Sequence, residues 1–194
     1  MRFVKILYNI VRDPLILSPD IKRKSVRGLD YHALKALGIR YIIFDKDNTL
    51  TKTYNGEFYD QDVEESFQKG VEVFGVKNVG ILSNSMEKDR KDWKGVGIIT
   101  SKKKKPFNFD DAKSHFGAEN NEEIAVVGDR LMTDIMMANL KGALGVYVEP
   151  LERSHEKINI KMMRLLEDYT LKFVIKGKRR KKSFNEKNLG DFEE

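Results

Sequence analysis

The chain contains no cysteine. Disulfides, thiolate nucleophiles and zinc sites built on sulfur are therefore excluded. Histidine is nearly as scarce: His32, His115 and His155 are scattered, with no H-x-x-x-H spacing. That argues against a histidine metal site and against a Ser-His-Asp hydrolase. Any metal must be held by oxygen, which favours magnesium or calcium. No apolar run approaches the roughly 20 residues of a spanning helix, so the chain is not expected to cross a membrane. What remains is 194 residues, 40% hydrophobic and 34% charged, enough for one domain with a real core and few for two. The net charge of +6 suits an anionic partner: nucleic acid, acidic lipid or a phosphorylated substrate.

Short Val- and Ile-rich runs recur at Ile39–Phe44, Val79–Leu82, Val96–Ile99, Ile124–Val127 and Leu144–Val148. Runs of this kind are the pattern of strands buried on both faces. Helix-compatible segments separate them, at about 60–74, 86–93, 107–117 and 131–141. Alternation of this kind predicts a doubly wound α/β domain with a parallel sheet and right-handed crossovers. The expected organisation is an N-terminal arm over 1–38, the α/β domain over 39–176 with a helix closing it, and a polar tail over 177–194. That tail, "GKRRKKSFNEKNLGDFEE", is short of apolar residues and is expected to be disordered.

Ligands of such sheets bind outside the carboxyl ends of the strands. The residues just after each run are therefore the informative ones. They are Asp45-Lys-Asp-Asn-Thr49, then Ser83-Asn84-Ser85, then Thr100, Ser101 and Lys102 to Lys105 before Pro106, and finally Gly128-Asp129-Arg130 leading to Asp134. One turn aspartate is common turn chemistry; four polar sets expected on one edge are not. Carboxylates brought together need a cation to offset their repulsion, and magnesium accepts a few carboxylates, waters and a substrate phosphate. An aspartate beside a phosphate is a competent nucleophile, and a second aspartate two positions on can protonate a leaving oxygen and later activate water.

In order, these motifs resemble the haloacid dehalogenase superfamily of phosphatases: D-x-D-N-T at Asp45 to Thr49, the serine Ser83, the lysine before proline at Lys105, and G-D-x-x-x-x-D at Gly128 to Asp134. The resemblance implies a Rossmann-like fold and a magnesium ion. It implies Asp45 as nucleophile and metal ligand, and Asp47 as general acid/base giving the metal its backbone carbonyl. Ser83 and Asn84 would hold the phosphoryl group, and Lys105 would offset its charge. Asp129 would bind the metal, with Asp134 behind it. Lys104 is an alternative to Lys105 and a substrate contact, and Arg130 is a candidate for the substrate's phosphate.

About 35 residues separate Asn48 from Ser83, and about 20 separate Ser83 from Lys105. Neither gap has room for a folded cap, so the site is expected to be open to a large substrate. "FDKDNTL", "KKP" and "VVGDRLMTDIMMANLKGALGVYV", with Asp13-Pro14 in the arm, are similar to the mitochondrial phosphatidylglycerophosphatases and their bacterial relatives. That resemblance implies dephosphorylation of phosphatidylglycerophosphate to phosphatidylglycerol, on the cardiolipin pathway. It implies a phospholipid partner, peripheral membrane association and work at the matrix face of the mitochondrial inner membrane, or otherwise at a cytoplasmic membrane surface. No nucleic-acid partner is expected, and oligomerisation stays open.

Phe3, Ile6, Leu7 and Ile10 fall on one helical face, with Arg2, Lys5 and Arg12 near the others. Such a helix can lie in a membrane interface, serve as a targeting segment, or pack on the sheet. A different function class stays in view: a polynucleotide-end phosphatase, or a non-catalytic nucleic-acid binder on the same fold.

Overall fold

The computed structural model describes residues 2–53, 55–83, 91–153 and 158–175. Seven strands form one sheet: β1 (Ile21–Arg23), β2 (Tyr41–Phe44), β3 (Val79–Ile81), β4 (Asp92–Trp93), β5 (Val96–Ile98), β6 (Ile124–Gly128) and β7 (Leu144–Val148). Their order is β1-β7-β6-β2-β3-β5-β4, all neighbours parallel except the antiparallel pair β4 and β5. The helices are α1 (Arg2–Arg12), α2 (Tyr31–Ala36), α3 (Gln61–Phe74), α4 (Phe109–Phe116), α5 (Met136–Lys141) and α6 (Ile158–Tyr169). This is the expected α/β architecture, and among the described residues between β2 and β3 the only α-helix is α3.

Side chains alternate across the strands and build a core on each face. Ile42 and Phe44 of β2 join Ala125 and Val127 of β6 under Tyr31, Leu34, Val63 and Phe67 of α2 and α3. Ile43, Ile124 and Val126 point the other way, onto Phe109 and Ala112 of α4 and Met137 and Ala138 of α5. A third cluster joins Ile6 and Ile10 of α1 to Leu131, Met132 and Met136 and to Met163, Leu171 and Ile175. The methionines of the fourth motif's helix are thus core, as their spacing suggests.

The arm over 1–38 supplies β1, which pairs with β7, and α2, which packs on α3. A three-residue edge strand with two charges, "IKR", carries too little pattern to be read beforehand. The helix expected over 86–93 gives way to a strand at Asp92–Trp93, where Trp93 is buried with Phe58 and Phe67; positions 86–90 lie outside the described residues, as do the polar tail and His155. The helix expected over 131–141 begins as a π-helical turn, Leu131–Ile135, before becoming α5.

Chain order fixes where a site can form. The chain runs from β2 outward through β3 to β5, then returns by α4 to β6 on the other side of β2. The gap between β2 and β6 is therefore the switch point at which doubly wound sheets leave a crevice. Asp45 follows β2 and Asp129 follows β6.

Candidate active site

The backbone N–H of Asp45 donates to Val127 O at 2.8 Å, which ties the first loop to β6 where the fourth loop departs. The turn after Asp45 is tight. Asn48 takes a positive φ of 64°, a conformation that asparagine tolerates better than most residues. Its N–H donates to Thr51 O at 2.8 Å, and its carbonyl accepts from Leu151 N at 3.0 Å. The asparagine of the first motif thus shapes the loop and fastens it to the segment after β7.

Carboxylate oxygens of Asp45, Asp129 and Asp134 lie within 4.8 Å of one another. Lys105 reaches this cluster from the loop after β5. Its ammonium donates to Asp45 Oδ1 at 2.5 Å and to Asp134 Oδ1 at 2.7 Å, and it is 1% exposed. Asp134 Oδ2 accepts from Arg130 N and from Thr133 Oγ1, both at 3.2 Å. A Cβ on Gly128 would stand 2.6 Å from that same oxygen, so only glycine leaves room for Asp134. The π-helical turn after β6, Leu131–Ile135, lies where such turns often mark functional sites.

Asp47 stands apart from the three clustered carboxylates and pairs instead with Ser83, whose hydroxyl donates to Asp47 Oδ2 at 3.3 Å. Lys46 Nζ lies 3.7 Å from Asp47 Oδ1 and donates to Asn55 O at 2.7 Å. Of the remaining predicted contacts, Arg130 brings its backbone N–H to Asp134, while its buried Nε has no partner among the described residues. Lys104 is not in the cluster: it lines an outer groove of about 690 Å³ with Lys5, Asn9, Lys103 and Phe107. Lys104 opens a turn, its carbonyl accepting from Phe107 N at 3.1 Å, and it is Lys105, the next residue, that turns inward. Asn84 lies outside the described residues.

Two residues that sequence reasoning missed come from α6. Arg164 donates from Nη1 to Asp129 O at 3.0 Å and from Nη2 to Asp129 Oδ2. Glu167 accepts from Met132 N at 2.9 Å. Both are buried.

Electrostatics follow from burial. Desolvation pushes the Asp45 carboxyl up to about 8, opposed by Lys105 and reinforced by Asp134 and Asp129. Burial likewise raises Asp129, with Arg164 pulling the other way. For Lys105, burial works against the ammonium, but Asp134 and Asp45 outweigh it and hold its pKa above the ordinary lysine value. Glu167 is pushed up to about 7, chiefly by burial.

The donor set fits a hard divalent cation. Its ligand atoms are all carboxylate oxygens, and Asp129 Oδ1 is buried with no hydrogen-bond partner among the described residues. A buried orphan acceptor costs free energy, and a cation would satisfy it. Asp45, Asp129 and Asp134 could hold magnesium, directly or through water.

A family model described as mitochondrial PGP phosphatase matches residues 3–151. Phosphatidylglycerophosphate phosphatase 1, chloroplastic/mitochondrial, of Arabidopsis thaliana is 34% identical over 175 residues, covering 84% of this chain and 49% of the relative. Phosphatidylglycerophosphate phosphatase 1, chloroplastic, of Chlamydomonas reinhardtii is 31% identical, covering 78% and 60%. Phosphatidylglycerophosphatase GEP4, mitochondrial, of Saccharomyces cerevisiae is 30% identical, covering 75% and 82%. The chain thus spans about half to three-fifths of the length of the first two. No solved structure matches it.

Proposed function

The chain belongs to the mitochondrial PGP phosphatase family, and from that premise we propose that it removes the terminal phosphate of phosphatidylglycerophosphate, leaving phosphatidylglycerol, with Asp45 as nucleophile and magnesium as cofactor. The observation that carries this reading is the Asp45 carboxylate itself. It is held by Lys105 at 2.5 Å, at the switch point of the sheet, with Asp129 and Asp134 oxygens inside 4.8 Å.

In the proposed mechanism an Asp45 oxygen attacks phosphorus, the bond to the glycerol oxygen breaks, and an aspartyl phosphate forms. Asp47 gives its proton to the departing glycerol oxygen. It then takes a proton from water, which attacks the aspartyl phosphate and frees inorganic phosphate and Asp45. Ser83 donates its one hydroxyl proton to Asp47, and with substrate bound it would turn that proton to a phosphate oxygen instead. Lys105 offsets charge on the transferring group. Magnesium, when bound, supplies positive charge that favours ionised Asp45 and polarises the phosphate. Asp45 and Asp129 would hold it, with the Asp47 carbonyl as the resemblance implies and Asp134 behind.

A lipid substrate is supported by two helices that share one core cluster and leave apolar side chains bare. On α1, Ile6 is buried while Phe3, Val4, Leu7, Tyr8 and Val11 are exposed. On α6 and the turn after it, Ile158, Met162, Leu165, Leu166, Tyr169 and Phe173 are exposed, whereas Arg164 and Glu167 are buried. That inverts the usual amphipathic arrangement, and an apolar face with nearby Lys5, Arg12 and Lys172 fits an anionic bilayer surface. Peripheral binding is the mode proposed, at a leaflet such as the matrix face of a mitochondrial inner membrane; no described helix is long and apolar enough to cross one.

The test offers purified protein and magnesium three substrates: phosphatidylglycerophosphate vesicles, a 3′-phosphorylated oligonucleotide and an aryl phosphate. Release from vesicles is expected, and Asp45→Asn is expected to abolish it with the circular dichroism spectrum unchanged. Release from the oligonucleotide but not the vesicles would overturn the lipid assignment, and phosphate release by Asp45→Asn would rule out covalent catalysis through Asp45.

A further inference from the structure

The family model ends at residue 151, yet a side chain from beyond that point reaches the carboxylate cluster. Arg164 of α6 is 4% exposed and holds Asp129 at two acceptors, the backbone carbonyl at 3.0 Å and the carboxylate oxygen Oδ2. One turn along, Glu167 accepts from the Met132 N–H at 2.9 Å. The loop after β6 is therefore tied to α6 at two points, on either side of Arg130.

We propose that Arg164 is a positioning residue for the metal ligand Asp129, fixing one carboxylate oxygen so that the other is presented to the cation. The inference rests on the magnesium reading above. A lone carboxylate can rotate about its Cβ–Cγ bond and offer a cation either oxygen, both or neither. With the backbone carbonyl and Oδ2 held by one rigid guanidinium, the rotation is stopped and Oδ1 is left over. Oδ1 is the atom found buried without a partner among the described residues. The planar fork of arginine suits this task, since it bonds two acceptors from one fixed frame; a lysine carries the charge without the frame. Glu167 secures the strut by holding α6 to the neighbouring peptide.

Outer partners of ligating side chains typically control metal affinity by about 10–100-fold. The opposing effect is repulsion between the guanidinium and the cation, which would make removal of Arg164 tighten binding. The two accounts predict opposite signs. Manganese, a paramagnetic stand-in for magnesium, is titrated into wild type, Asp129→Asn, Arg164→Ala and Arg164→Lys and followed by electron paramagnetic resonance. Turnover of a soluble aryl phosphate is recorded against magnesium concentration.

Arg164→Ala is expected to bind manganese about tenfold more weakly or worse, with Arg164→Lys in between. Excess magnesium is expected to restore most of kcat with the KM for the aryl phosphate little changed, which a general loss of structure would not do. Should Arg164→Ala fail to fold, Arg164→Lys carries the test alone. Wild-type affinity or tighter in a folded Arg164 variant overturns the positioning role and leaves the metal reading standing. Absence of manganese binding by wild type, or undiminished binding by Asp129→Asn, overturns both.

Discussion

Lys105 sits between two buried carboxylates, Asp45 and Asp134, and is itself almost fully enclosed. Removing one member of such a group leaves uncompensated charge inside, at a cost of about 3–5 kcal/mol. Lys105→Met is therefore expected to lower the denaturant midpoint of the metal-free protein and to lose turnover. Lys104→Met removes a side chain from the outer groove and is expected to change stability by less than about 0.5 kcal/mol. Turnover retained by Lys105→Met but lost in Lys104→Met would reverse the assignment between them. At this scale Asp45 and Asp129 were legible in the sequence, because each directly follows a buried apolar run or its closing glycine and carries chemistry a core strand would not place there; Lys105, one of four consecutive lysines, was singled out only by the family resemblance of its Lys-Pro pair. Arg164 and Glu167 were not legible. In "INIKMMRLLEDY" charged residues are expected to face water, and only tertiary packing reveals that these two face inward. The one available signal was their spacing of three, which puts them on a common helical face opposite Leu165, Leu166 and Tyr169.

Apolar runs were read well, whatever their length. β2, β3, β5, β6 and β7 emerge within two residues of their expected bounds, while β1 and β4, with the charged sequences "IKR" and "DW", carry no apolar run to mark them. α6 teaches a different point: periodicity identified a helix, but the side it buries is the charged one. That inversion gives a test of membrane docking. Leu165→Glu with Leu166→Glu alters side chains that are 69% and 49% exposed, so the fold is expected to survive. Burial of each leucine in an interface is worth about 1.5–3 kcal/mol at most, so the double variant is expected to lose vesicle binding by well over tenfold while hydrolysing a soluble aryl phosphate at the wild-type rate. Equal binding to anionic vesicles in a flotation assay would remove α6 from the docking surface.

At the scale of the whole molecule, one topological fact assembles the site: the chain turns back from β5 to β6 across β2, and every parallel strand delivers its loop to the same edge. The alternation of runs was enough to predict that edge, but not the strand order, since periodicity says nothing about which strands are neighbours. The same assembly buries several acids together and so couples the protein's stability to pH and to metal. Asp45 ionises near 8 in the folded chain because burial disfavours its charge, against about 3.9 for an aspartate in an unfolded one. Between those values the folded state binds more protons than the unfolded state, and stability contributed at this site declines as pH rises from about 4 to about 8. A cation that takes the place of those protons reverses the trend, since binding needs ionised carboxylates and releases protons. With EDTA present, melting temperature is expected to fall between pH 6 and pH 8. The rise produced by magnesium is expected to grow over the same interval, and calorimetry in two buffers of different ionisation enthalpy is expected to register proton release. A magnesium-induced rise that is flat or shrinks toward pH 8 would mean that the buried carboxylates are not what the cation binds.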